Sequence, residues 1–387
     1  MVPEIVFFPV GNGDMTLIKL NNSKRTTFLI DINIRDINAT DEDILDVKKD
    51  LLDRIEKDKD GRPFVDVFLL THPDQDHCRG LSEHFHLGPL DDYPKEKSEK
   101  IIINEIWSSP VVFRRASKNH TLCEDAKAFN TEAKRRVDIY RKNKVASSGD
   151  RILIIEEDEN GKTDDIKDIV VKVNQTVNKF NGSTSDILSA NILGPLPKEE
   201  LDEEEERLSK NHSSIIMQFE FSVENNKKAN LFLAGGDAEV AIWASLWEKH
   251  NKNTDILEYD LLLAPHHCSW HTLSYDSWSK SDNPKVDKNA KESLSQSRGG
   301  ASIISSSKII RDDDCDPPCW GAKREYERII KPVKGDFVCL QNYYDENYKS
   351  LVVKLTKDGP QGPSKKGDSK TSAVVIAAST KEPFRHG

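Results

Sequence analysis

The chain has 387 residues, 36% hydrophobic and 32% charged, with a formal net charge of −10. That length allows one large α/β unit or two domains, and the composition excludes a membrane channel, because no apolar run approaches the ~20 residues needed to cross a bilayer. No basic region followed by an apolar segment and a cleavage site opens the sequence. With six cysteines and no such leader, reduced thiols and a cytoplasmic location are expected.

The charge is uneven. Residues 156–210 carry fifteen acids and seven bases, whereas 114–144 carry ten bases and four acids. The second stretch could neutralise phosphates, although a solvated helix face would look the same. Cys315 and Cys319 frame CDPPC, but a zinc site needs about four ligands and no second pair lies nearby, so they read as loop thiols.

In chain order, Glu4–Pro9, Met15–Leu20 and Thr26–Ile32 read as short strands parted by turns at Gly11-Asn12-Gly13 and Asn21-Asn22-Ser23. Glycine at 11 and 13 allows a tight path that brings Asp14 toward a site; a plain hairpin turn is the alternative. Asp41–Lys57 has apolar residues at helical spacing, with Thr40 as a cap. Val65–Gly80, VDVFLLTHPDQDHCRG, is an apolar strand that ends on His72, Asp74, Asp76 and His77. Cys78–His86 reads as a helix whose N-terminus faces that cluster and favours anions, with His84 and His86 on the surface.

Ile101–Trp107 reads as a strand and Thr121–Lys144 as a long basic helix. Arg151–Ile155 and Ile169–Val173 read as a hairpin with Asn160-Gly161 at its tip. Ile192–Pro195 is another strand end, and Lys198–Lys210 a solvated segment or lid. Ser214–Phe221 and Asn230–Ala234 read as paired strands, the second running through LFLAGGD to Asp237. Helix Ala238–His250 leads to strand Tyr259–Ala264 and then Pro265-His266-His267. Ala301–Ser305, Phe337–Gln341 and Ser350–Lys357 read as strands, Ala322–Ile330 as a helix, and Gly359–Ser372 as flexible. Ala373–Ser379 is a last strand or a partner-binding tail.

Three apolar strands thus end on ligand-type side chains. A polar turn after one strand would be ordinary; the distant repeats of the pattern make it specific. Asp74 and Asp76 repel one another unless a cation or a shared proton sits between them, and two His with two Asp suit a divalent metal such as Zn²⁺ or Mn²⁺.

The ordered set FFPVGNGD (Phe7–Asp14), FLID (Phe28–Asp31), Thr-His-Pro, NHSS (Asn211–Ser214), Gly-Asp and Pro-His-His-x-Ser resembles the metallo-β-lactamase fold superfamily. Within it the set is most similar to the nuclease-like domain of ComEC-type competence proteins. The resemblance covers about Val2–Ile330. It implies an α/β fold, an αββα sandwich of two mixed sheets flanked by helices. One domain would span residues 1–357, with an acidic insertion at 156–210 and a flexible tail at 358–387. It also implies two divalent ions, Zn²⁺ or Mn²⁺ and possibly Mg²⁺. His72 and Asp74 would hold one; Asp76, His77 and His266 would hold the other; Asp237 would bridge. Asp14, Asp31 and Asn211 would support these ligands from behind. Paired metals of this kind share a water made acidic enough to attack at neutral pH, with Asp76 and either His267 or His271 as catalytic groups, one of the two histidines protonating the leaving group. The sequence departs from the family at Asp74 in place of a histidine, which hardens the first site, and at Asn33 and Cys268 in place of glycines.

The expected activity is a metal-dependent phosphodiesterase or nuclease. Nucleic acid would be the substrate, met by Arg114, Arg115, Lys134, Arg135 and Arg136, with no membrane involvement. Hydrolysis of a small ester, thioester or lactam is the alternative, as is an effector subunit with structural metals and a protein partner on the acidic insertion or tail. Phage defence or DNA metabolism would suit a nuclease of this form.

Overall fold

The structure is a computed structural model that describes residues 2–20, 22–36, 44–95, 98–110, 122–158, 161–196 and 213–362. It is α/β, with two mixed sheets and several helices. In the first sheet, Glu4–Phe7, Thr16–Lys19 and Thr27–Ile30 join antiparallel. Thr27–Ile30 then runs parallel to Pro63–Leu70, followed by Ile101–Ser108 and Arg151–Ile155. Leu351–Thr356 pairs with Glu4–Phe7 on the other side. In the second sheet, Leu188–Gly194, Ile216–Val223 and Asn226–Ala234 are antiparallel, and Tyr259–Leu263, Ser297–Ser305 and Asp336–Cys339 follow in parallel.

The sheets face each other across one apolar cluster, with Phe28, Val67 and Trp107 from the first packed among Phe219, Phe232 and Leu261 from the second. On the outer face of the first sheet, Phe68 and Ile103 meet Phe129 and Val137 of the helix Glu124–Asn143. On the outer face of the second, Leu233 and Leu262 meet Trp243 of Val240–His250 and Tyr326 of Trp320–Ile330. Both faces of each sheet are buried, which is why the central strands read as unbroken apolar runs rather than alternations. Pro63–Leu70, Asn226–Ala234 and Tyr259–Leu263 carry the turns that follow their C-terminal ends to one region, the place where open α/β sheets collect ligand groups.

Several expectations are corrected. The 41–57 helix shrinks to Val47–Leu52, capped by Asp46, whose carboxylate accepts the Lys49 N–H (2.9 Å); Thr40 lies outside the described residues. The 78–86 helix breaks at Gly80 (φ +89°) into Gln75–Cys78 and Leu81–His84, followed by the strand Phe85–His86. His86 is buried and its Nε2 donates to Pro89 O (2.9 Å). Arg151–Ile155 and Val170–Val171 pair in parallel, not as a hairpin, because the turn of 3₁₀ helix Asp164–Ile169 carries the chain back across. Residues 156–210 are no mere insertion: Leu188–Gly194 is a full strand of the second sheet, with Leu188, Ala190 and Ile192 in the core. Phe337–Gln341 stops as a strand at Cys339 and turns into helix Leu340–Asn347. The first sheet runs on past residue 357, since Gly359–Gln361 pairs with Lys354–Thr356. The acidic run 202–206 and the 373–379 tail lie outside the described residues.

Two arginines of the basic helix are turned inward. Arg136 is 1% exposed; it bonds Glu132 (2.7 Å) and donates to the carbonyls of Ile103 (2.9 Å) and Arg151 (3.0 Å). Arg135 is taken by Glu132 and Asp150, both at 2.6 Å. Both guanidinium groups are engaged within the protein; Lys134 is exposed, and Arg114 and Arg115 lie outside the described residues. Arg136→Ala is expected to lower stability by about 3 kcal/mol, because it leaves Glu132 buried with one partner fewer. The salt dependence of any nucleic-acid binding is expected to stay unchanged; chemical denaturation and a salt titration check the two halves.

Candidate metal centre

The site is built from five turns. Asp31 ends the strand Thr27–Ile30 with no exposed surface; it accepts the Thr71 N–H (2.8 Å) and hydroxyl (2.6 Å). The same carboxylate lies 2.8 Å from His77 Nδ1, so His77 donates there and turns Nε2 inward. The Thr71 hydroxyl, its proton spent on Asp31, lies 3.2 Å from His72 Nδ1 and accepts from that ring. One carboxylate therefore sets the tautomer of both imidazoles, directly for His77 and through Thr71 for His72. Gly236 (φ +49°) makes room: a methyl there would sit 2.9 Å from Thr71 Oγ1.

Asp237 follows, buried, its N–H held by Ser214 Oγ (3.2 Å). Its two oxygens face different partners. Oδ1 lies 3.0 Å from His77 Nε2 and 3.5 Å from His267 Nε2. Oδ2 lies 3.5 Å from His72 Nε2 and 3.7 Å from His266 Nε2. Asp74 adds an oxygen 3.8 Å from His72, and Asp76 one 3.2 Å from His267. Asp14, expected behind the ligands, has its Oδ1 3.5 Å from His267 Nδ1, the ring nitrogen opposite the one that faces Asp237. Asp14, His77, Asp237 and His267 each offer an atom within 4.8 Å of all the others and could hold a metal ion.

The two histidines of the last turn are thus divided between the two sides. His266 belongs with His72 and Asp74, and His267 with Asp76 and His77, the reverse of the expected placing of His266. The cause is the backbone: His266, His267 and Cys268 all take left-handed φ (51°, 52° and 69°), which swings consecutive side chains apart. Cys268 occupies a conformation that glycine would adopt without strain. His271 stands away from this group, half-exposed, with Asp316 Oδ2 3.9 Å from its Nε2. Asn211 lies outside the described residues. Asn33 ties the first turn down, its amide donating to Val10 O (3.3 Å) and Asn12 O (3.1 Å).

The donor set suits a cation on physical grounds. Asp14 Oδ1, His72 Nε2, His77 Nε2, Asp237 Oδ1 and His267 Nε2 are buried and face one another with no well-formed hydrogen bond to the rest of the protein, an arrangement that a cation would satisfy. Burial alone would lower the His77 and His267 pKa values. The charges of Asp237 and Asp31 outweigh it for His77, which is raised well above the usual value; Asp237, Asp14 and Asp76 push His267 up to about 10. Burial would likewise raise Asp237, yet His77, His267 and His72 hold it well below the carboxylate range. Without a metal, protons fill the role a cation would take. The Gly13 N–H lies 3.2 Å from His267 Nδ1, so His267 has two settings: accepting there with its proton on Nε2, or donating from Nδ1 toward Asp14 with Nε2 free.

No family model and no curated protein matches the chain. A solved structure described as a protein of unknown function from Enterococcus faecalis V583 shares 9% identity over 88% of each chain, with a TM-score of 0.29, too slight a likeness to carry an argument. No helix among the described residues is long and apolar enough to cross a membrane.

Proposed function

We propose that this chain is a metal-dependent hydrolase of the metallo-β-lactamase fold, acting on phosphodiesters as a phosphodiesterase or nuclease. The observation that supports it best is the two-sided Asp237, with two imidazole Nε2 atoms facing each oxygen. His72, Asp74, His266 and Asp237 Oδ2 would hold one divalent ion; Asp14, Asp76, His77, His267 and Asp237 Oδ1 would hold the other. Four carboxylates balance two divalent charges, and the mixed N/O donors suit Mn²⁺ or Zn²⁺. Such ions supply Lewis acidity and make a water acidic enough to attack at neutral pH.

The protein's own part is orientation. Asp31 and Thr71 fix the His77 and His72 tautomers, and the Gly13 turn holds Asp14 against His267. His72, His77 and His267 are sealed from solvent, while the side chains of Asp74, Asp76 and His266 are 23%, 34% and 17% exposed. That rim is where substrate would enter. His267, enclosed by Asp14, Asp76 and Asp237, serves better as a ligand than as the proton donor expected of it.

The test is cleavage of single- and double-stranded DNA, RNA and a bis-aryl phosphodiester with Mn²⁺, Mg²⁺ or Zn²⁺, beside the Asp76→Ala/His77→Ala double variant. Metal-dependent cleavage lost in the variant supports the proposal. Stoichiometric metal binding with no phosphodiester cut would overturn it in favour of a small-substrate hydrolase or an effector.

The raised imidazoles give a pH prediction. A raised folded pKa contributes stability that is fully present below about 6.5 and is lost as pH rises through the folded value, about 10 for His267. The Tm of the metal-free protein should therefore fall over that window. Metal must displace these protons, so affinity should rise by about tenfold per imidazole per pH unit over the same range. Between pH 6.5 and 9 the Tm should fall with chelator and stay nearly level with saturating Mn²⁺, because the rise in affinity offsets the lost protons.

A further inference from the structure

Two cysteines outside the donor set lie against each other. Cys78 directly follows His77 and is buried; its single S–H lies between two acceptors, Asp74 O (3.1 Å) and the Cys123 sulfur. Cys123, half-buried, precedes the helix Glu124–Asn143, and its sulfur accepts the Ala126 N–H (3.4 Å). Though 45 residues apart, their sulfurs are 3.6 Å from one another and unbridged.

We propose that Cys78 and Cys123 form an oxidation site, at which a hydroperoxide converts the dithiol to a disulfide tying the metal loop to the Glu124–Asn143 helix. The pair itself does not depend on the hydrolase reading. Closure moves the sulfurs together by about 1.5 Å, to the ~2.05 Å of a disulfide.

The roles are unequal. The hydrogen bond that the Cys78 S–H can make to it, aided by the Ala126 N–H, pulls the Cys123 thiol down to about 6 and favours its thiolate. The same contact, with burial, raises Cys78. The Cys123 thiolate attacks the terminal peroxide oxygen. An S–O bond forms, the O–O bond breaks, and the departing alkoxide (hydroxide from hydrogen peroxide) takes a proton from solvent. The Cys78 sulfur then attacks the Cys123 sulfenic acid; the S–S bond forms, the S–O bond breaks, and hydroxide leaves with the Cys78 proton as water. Two thiols are oxidised and one peroxide is reduced. Closure also removes the S–H that can face Asp74 O, loosening the loop between Asp74 and His77; this consequence rests on the metal reading.

The full-length protein treated with hydrogen peroxide and mapped without reductant should yield a peptide linking Cys78 to Cys123, two hydrogens lighter and released by dithiothreitol. Cys78→Ser should halt at a dimedone-trappable Cys123 sulfenic acid, and Cys123→Ser should give no link. The exposed Cys315 is the internal control. Cys123 reacting no faster than Cys315, or linkage to any other cysteine, would overturn the site. Mn²⁺ affinity, measured by titration, should fall by about tenfold on oxidation and recover on reduction. Unchanged affinity beside a confirmed link would overturn only the coupling to the metal loop.

Discussion

Asp237→Asn is expected to empty both sides of the centre together. Each carboxylate oxygen serves one side, His77 and His267 on Oδ1, His72 and His266 on Oδ2. An amide keeps the shape, but its nitrogen cannot bind a cation and it carries no charge. Substitution of a residue that merely orients a ligand weakens metal binding by about 10–100-fold; loss of a shared ligand should exceed this, with activity at least ~10³-fold lower. Metal analysis after dialysis should give less than one ion per chain. D237N protein that kept two ions and most of its activity would remove the bridge from the centre. The substitution should also lower the stability of the metal-free protein, since it strips the charge that three imidazoles share.

Gly13→Ala is expected to damage fold and site together. Gly13 has φ +142°, open to glycine and strained for any other residue. An added methyl would sit 2.1 Å from Asn33 Nδ2 and 2.7 Å from the Asp76 carbonyl oxygen. The turn has no direction in which to yield: the Asp14 N–H donates to that Asp76 oxygen (3.2 Å), the Gly13 oxygen accepts from Ser306 Oγ (2.6 Å), and the Gly13 N–H faces His267. Strain of this kind costs about 1–3 kcal/mol before any clash is counted. A drop of about 3 kcal/mol or more is expected by denaturant unfolding, together with at least ~100-fold lower activity in whatever remains folded. Asp14→Ala separates the effects: activity should fall without comparable loss of stability.

Much of this centre was legible because parallel strands buried on both faces announce themselves as apolar runs, and whatever follows their C-terminal ends must gather at one edge. His72, His77 and Asp237 could be read that way. The sharing of His266 and His267 could not, because it depends on three consecutive left-handed residues with no glycine to signal them. The sequence puts Asp14 near the site; how closely it approaches depends on Asn33 and Gly13 fitting together, a contact between separate turns. Thr71 stood inside a quoted motif, yet its relay from Asp31 to His72 follows from geometry alone. The helix 124–143 misled because charge counts ignore where a side chain points. Glu132, buried at one turn's spacing from Arg135 and Arg136, draws both guanidinium groups inward. Residues 156–210 misled likewise: their acids mask the alternating Leu188, Ala190 and Ile192 of an ordinary core strand.

The ligands' order along the chain has a consequence for synthesis. Asp14, His72, Asp74, Asp76 and His77 come first, and Asp237 follows His77 by about 160 residues, a delay of roughly 8–32 s at 5–20 residues per second. For that interval the nascent chain presents two imidazoles and three carboxylates with no bridge to pair cations. If the centre holds metal as proposed, faithful loading would be a late event, waiting on Asp237. A cation captured earlier binds a partial set whose geometry selects for nothing, so the ion found in the protein would reflect what is abundant where the chain finishes folding.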